Sequence, residues 1–285
     1  MSNKNVKLIE CPRDAMQGML RFVETPVKID YINSLLKVGF DVLDCGSFVS
    51  PKVIPQMKDT AEVLDSLDIE NTNTELLVIV ANTKGADIAV QFSQIDYIGF
   101  PFSISETFQL RNTNSNIEDS LEKVKYMLDL SEKHKKKLVV YISMAFGNPY
   151  NDFWDPSIVE HWVDRLYTIG VDIFSMSDTV GVANKSSIAG VFADLSDNFP
   201  KAEFGAHFHT TPDTWEEKIT TAFDLGCRRF DGALKGFGGC PMAKDELVGN
   251  MPTEKMIEFF DNKELLNINK KALNISLKKA ANIFY

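Results

Sequence analysis

Eight short β-rich runs alternate with segments of helical period along this chain, and that alternation admits few folds. The runs are Val6–Cys11, Val42–Phe48, Leu76–Ala81, Tyr97–Phe102, Leu138–Met144, Val171–Ser175, Phe204–His209 and Arg229–Ala233. Between them lie Val27–Val38, Ile117–Lys135, Ser157–Ile169, Lys185–Asp197 and Thr214–Leu225, each with helical spacing of apolar residues. Gly39, Gly170 and Gly226 follow helical runs as stop signals, and Asp155-Pro156 opens one in cap-then-proline order. Strands separated by helices pair in parallel through crossovers. Eight such units close a barrel, so the expected fold class is α/β, a (β/α)8 TIM barrel with additional C-terminal helices. The rival is a doubly wound open sheet. It is disfavoured because Cys11-Pro12-Arg13-Asp14, and not GxGxxG, follows the first run. Residues 253–285 continue as a helical extension, expected to pack over the barrel or to make a subunit contact, so a homodimer is allowed. With no linker, repeat or low-complexity stretch, residues 1–285 read as one barrel domain.

Composition narrows the partners. A chain of 285 residues, 44% hydrophobic and 25% charged, can bury a sizeable core. A net charge of −10 argues against a nucleic-acid surface, and an anionic ligand would need local basic residues or helix N-termini. The cysteines Cys11, Cys45, Cys227 and Cys240 have no disulfide or metal-finger spacing, which fits a reducing compartment. Neither a signal peptide nor a membrane span is visible, so the expected location is the cytoplasm, without a membrane partner.

In such a barrel the C-terminal strand ends line the mouth. In order these carry Arg13 and Asp14, Asp44, Asn82, Ser103, Ser143, Asp178, then His207 with His209. In His207-Phe208-His209 the two imidazoles fall on one side of a strand. Either they are hydrogen-bonded core histidines, or with Asp14 from the adjoining first strand and Asn250 they form a mixed N/O metal site. Asp44 is either a core carboxylate paired with Arg13 or part of an acid–base network. Arg13 beside a metal would stabilise developing oxyanion charge. Cys240 follows Gly236-Phe237-Gly238-Gly239, a loop able to fold over the mouth, and could act there as an acid or base. No GK[ST] follows those glycines, so a P-loop is discounted.

Several segments together resemble the 3-hydroxy-3-methylglutaryl-CoA lyases, relatives of isopropylmalate and homocitrate synthases. They are Cys11-Pro12-Arg13-Asp14-Ala15-Met16-Gln17, Ser47-Phe48-Val49-Ser50-Pro51-Lys52 with Pro55-Gln56-Met57, Ser177-Asp178-Thr179-Val180-Gly181, the histidine pair, and Gly236-Phe237-Gly238-Gly239-Cys240-Pro241 with Gly249-Asn250. The resemblance implies a divalent metal, Mg²⁺ or Mn²⁺, held by Asp14, His207, His209 and Asn250, with no organic cofactor. It places Arg13, Asp44, His207 and Cys240 on catalytic positions and Arg13, Gln17 and Thr179 on substrate-binding ones. It further implies an acyl-CoA or small hydroxy-acid substrate and retro-Claisen-type cleavage to acetyl-CoA and acetoacetate.

The chain departs from that pattern in places. Ala15 replaces a usual Gly, Gly18-Met19-Leu20 replaces polar and charged residues, and Thr210 stands for a common Asp. Asp44 stands for a longer Glu, and Lys235 for a small residue, an added cation expected near the mouth with Arg21, Lys52 and Lys84. The competing functions are a metal-dependent aldolase or lyase acting on another hydroxy acid or hydroxyacyl thioester, a zinc amidohydrolase, and a non-catalytic barrel. Amidohydrolases carry HxH on the first strand, whereas here it falls on the seventh. A non-catalytic barrel would have a broken metal set, and this set is complete.

Overall fold

A computed structural model describes residues 6–239 and 248–285. The parallel strands are β1 (Lys7–Glu10), β2 (Val42–Ser47), β3 (Glu75–Ile79), β4 (Tyr97–Ser103), β5 (Lys137–Ser143), β6 (Ile173–Asp178), β7 (Glu203–Thr210) and β8 (Arg229–Gly232). Each pairs with its sequence neighbours, and β1 pairs with β8 to close the barrel. The expected (β/α)8 barrel with C-terminal helices is therefore the fold. Both faces of the strands are covered, which is why they read as nearly continuous apolar runs. Inward residues such as Ile9, Val42, Leu77, Tyr97 and Val139 fill the barrel, while outward residues such as Leu8, Leu43, Val78 and Phe230 pack under the helices.

Four local departures from the sequence reading stand out. Arg13 and Asp14 do not end β1; they lie in the short helix Pro12–Gln17, opened by Pro12, whose ring suits the first helical turn. The run expected as one helix over Lys185–Asp197 breaks into Lys185–Phe192 and Leu195–Asn198. The sixth strand begins at Ile173 and runs on to Asp178. Finally a ninth strand, β9 (Gly249–Asn250), which the alternation gave no sign of, lies antiparallel to β7 with Asn250 opposite His209.

The tail packs on the barrel. Helix Lys270–Phe284 contacts helix Thr25–Leu35, Tyr31 meets Phe284 edge-on, and Phe237 stacks on Phe284 at 4.7 Å. Ser276 also donates to Ser34 at 2.9 Å across this contact. The contact ties the loop after β8 to the chain's last turn.

Candidate active site

Parallel pairing brings the C-terminal strand ends into one rim, and the polar side chains named above meet there around a cavity of about 140 Å³. Arg13, Asp14, Gln17, Thr179, His207 and His209 are among its polar lining. Apolar residues, among them Val49, Val53, Ile54, Ile79, Pro101 and Phe108, complete the lining. Asp44 is fully buried behind Arg13. Its carboxylate accepts from the guanidinium at both oxygens, Nε to Oδ1 at 3.2 Å and Nη2 to Oδ2 at 2.5 Å, leaving Nη1 to reach Asp14 at 2.8 Å. Burial pushes Asp44 up to about 6, working against the guanidinium's pull, so it is ionised at neutral pH. Burial would also raise Asp14, but Arg13, the two imidazoles and the Asn250 amide outweigh it and hold that carboxyl at about 2.

The helix Pro12–Gln17 explains a further contact. Residues three apart share a helix face, and Gln17 Nε2 donates to Asp14 Oδ1 at 2.5 Å. On β7 the two-residue period puts both imidazoles inward, with ring centroids 5.5 Å apart. His209 Nδ1 lies 3.0 Å from the Thr179 carbonyl, and His207 Nδ1 lies 3.2 Å from Asp231 Oδ2. Burial and the neighbouring His207 push His209 down to about 4, so it is neutral. His207 is lowered by burial yet ends above its ordinary value, because Asp231 bonds it and faces it with negative charge.

Asn250 reaches the site through β9. Its Nδ2 donates to Asp14 Oδ2 at 2.7 Å and to the Phe237 carbonyl at 2.8 Å, which turns Oδ1 the other way. Thr210 supports it, donating to the Asn250 carbonyl at 3.3 Å. Gly238, in the segment after β8, sits tightly on this arrangement. It has φ +98, and a Cβ there would meet Asn250 Nδ2 at 2.6 Å and the Asp14 carbonyl at 2.7 Å. Only glycine allows that approach.

The donor set fits a hard divalent cation. One ligand atom each from Asp14, His207 and His209 lies within 4.8 Å of the others, all three residues buried. His209 Nε2 and Asn250 Oδ1 are buried acceptors without a hydrogen-bond partner. Buried polar atoms are rarely left so, and both are lone-pair donors of the kind a metal takes.

Two expectations need comment. Cys240 lies outside the described residues. Lys235 does not face the cavity: with φ +64 its backbone N–H bonds Glu254 at 2.8 Å, and its ammonium lies 5.5 Å from the Tyr285 ring. Lys84 lines a separate groove beside the rim, bounded by Ser50 and Asn82. Asp231 was not foreseen from sequence. The signal was present, since Asp231 stands two residues from Arg229 on an inward-facing strand, but nothing local said which strand it would face.

Comparison with known proteins places the chain in a family. The chain matches the HMGL-like family over residues 5–282. It is 32% identical over 264 residues to a 3-hydroxy-3-isohexenylglutaryl-CoA/hydroxy-methylglutaryl-CoA lyase of Pseudomonas aeruginosa, covering 92% of this chain and 87% of that one. It is 33% identical over 253 residues to the cytoplasmic 3-hydroxy-3-methylglutaryl-CoA lyase of Rattus norvegicus, covering 88% and 73%. An HMG-CoA lyase from Acinetobacter baumannii, solved with coenzyme A and 3-methylmalate, superposes with a TM-score of 0.91 at 26% identity, covering 100% of this chain and 92% of that one. No helix among the described residues is long and apolar enough to cross a membrane. The chain belongs to the HMGL-like family and is a hydroxymethylglutaryl-CoA-lyase-like enzyme.

Proposed function

We propose that the chain is a divalent-metal-dependent lyase cleaving 3-hydroxy-3-methylglutaryl-CoA to acetyl-CoA and acetoacetate by a retro-Claisen-type reaction. The observation that carries this reading is the convergence of Asp14, His207, His209 and Asn250 at the barrel mouth, with His209 Nε2 and Asn250 Oδ1 buried and unpartnered. These residues would hold Mg²⁺ or Mn²⁺, and no organic cofactor is needed. When bound, such an ion acidifies the substrate's tertiary hydroxyl and anchors a neighbouring oxygen.

The chain's own groups supply the rest. Cleavage leaves negative charge on the thioester oxygen, and Arg13 is a fixed cation on the cavity, clamped by Asp44 and Asp14. A clamped guanidinium stabilises that charge without reorganising. Gln17 and Thr179 line the same cavity as substrate contacts, His207 on that lining handles the proton, and Asp44, buried behind Arg13, acts through the guanidinium it holds. Cys240, two residues beyond Gly238 in the sequence, is the candidate to protonate the new carbanion carbon. The A. baumannii homologue's coenzyme A supports an acyl-CoA substrate.

The test follows acetoacetate formation from the CoA ester with Mg²⁺ or Mn²⁺, and with the metal chelated. Product that depends on metal is expected; no product with either ion would remove the assignment. A second reading keeps the chemistry and enlarges the acyl group. It is favoured by the apolar lining residues, Val49 to Phe108, and by the P. aeruginosa relative's named isohexenyl substrate. A higher kcat/KM for a 3-alkenyl than for the 3-methyl thioester would select it.

A further inference from the structure

Asp231 faces into the barrel from β8 and is buried at 2% exposure. It is the register partner of His207 across the β7–β8 ladder. Its Oδ2 accepts from Ser175 Oγ at 3.0 Å and lies 3.2 Å from His207 Nδ1. The hydroxyl of β6 and the imidazole of β7 thus both meet the carboxylate of β8.

The chemistry of imidazole gives that contact a consequence. A neutral histidine carries one proton, and the nitrogen without it is the one that can ligate a cation. With Nδ1 engaged by Asp231, the nitrogen His207 turns to Asp14 and His209 is Nε2. His209 reaches the same state differently, through the Thr179 carbonyl, a backbone acceptor that no substitution removes. For His207 the acceptor is a side chain, held in its rotamer by Ser175, and can be removed. A carboxylate behind a histidine also makes it a more basic ligand than a carbonyl does.

We propose that Asp231 is a positioning residue that locks His207 in the Nδ1–H tautomer and so sets the site's affinity for its divalent ion. Ser175 orients Asp231 from behind. The inference rests on the metal-dependent reading above, but its tautomer half stands on the protein alone.

Mn²⁺ affinity is read from the EPR signal of free Mn²⁺, and the His207 tautomer from ¹⁵N NMR of the imidazoles, in wild type, Asp231→Asn, Asp231→Ala and Ser175→Ala. Asp231→Ala is expected to weaken Mn²⁺ binding roughly 10–100-fold, the usual cost of losing such a partner, and to bring up an Nε2–H signal for His207. Asp231→Asn keeps an acceptor oxygen and loses the charge, so a smaller weakening with the Nδ1–H signal retained is expected. Ser175→Ala should fall between Asp231→Asn and wild type in affinity. A merely structural Asp231 would lower stability and leave both readouts alone. Mn²⁺ affinity within twofold of wild type together with an unchanged tautomer in Asp231→Ala would overturn the proposal. Should Asp231→Ala not fold, unchanged affinity in Asp231→Asn would overturn it. If the wild type binds no Mn²⁺, the metal reading fails separately, and a persisting Nδ1–H signal in Asp231→Ala then overturns the tautomer assignment.

Discussion

Glu10 is fully buried on the outer side of β1 with no cation beside it among the described residues, and replacing it with glutamine should stabilise the enzyme at alkaline pH. Its Oε1 accepts the Leu234 N–H at 2.9 Å and its Oε2 the Thr253 hydroxyl at 2.5 Å, joining β1 to the segment after β8 and to helix Thr253–Asp261. Burial pushes the carboxyl from 4.5 to about 8, the two hydrogen bonds pulling it down only in part and nearby Glu254 adding to the rise. The folded state therefore holds a proton that the unfolded chain gives up. Stability from this group is present below pH 4.5, declines as pH rises from there, and is lost once pH passes about 8. At about 1.4 kcal/mol per factor of ten in proton affinity, the loss comes to about 5 kcal/mol, reduced to a few kcal/mol by relaxation and water entry. Glutamine copies the protonated acid, with an oxygen for the Leu234 N–H and an amide that can donate to Thr253 Oγ1. Thermal unfolding at pH 5 and pH 9 reads the effect. Glu10→Gln should match wild type at pH 5 and exceed it by roughly 5–10 °C at pH 9, at about 2 °C per kcal/mol for a chain of this size. Parallel pH dependence in the two proteins would refute the reasoning, because the titrating group would then be elsewhere.

Other expectations are more direct. His209→Ala should abolish Mn²⁺ retention while circular dichroism shows an intact barrel; retained Mn²⁺ would remove His209 from the ligand set. Gly238→Ala forces a Cβ against Asn250 and Asp14 at a positive φ, costing about 1–3 kcal/mol of backbone strain and lowering turnover at least tenfold; wild-type turnover would show that the loop need not sit on Asp14. Cys240→Ser should lower turnover far more than it weakens Mn²⁺ binding, and unchanged turnover would reduce the cysteine to a structural residue.

Local chemistry in the sequence determined the barrel and half of its mouth. The alternation of β-rich and helical runs follows from side-chain periods of two and 3.6, which need no tertiary information. The same period of two placed His207 and His209 on one side, and closure of eight strands put Asp14 beside them. Departures from the family pattern were visible but not their directions: Ala15 packs under Gly238, Leu20 is exposed, and Lys235 turns to the C-terminal ring of Tyr285 because its backbone takes φ +64. What only the tertiary structure decided are the contacts made across the barrel. Asn250 enters through a two-residue antiparallel strand too short to show any period, and Asp231 finds His207 only through the β7–β8 register. Register depends on how the strands tilt to close the cylinder, a property of the whole sheet that no single segment carries.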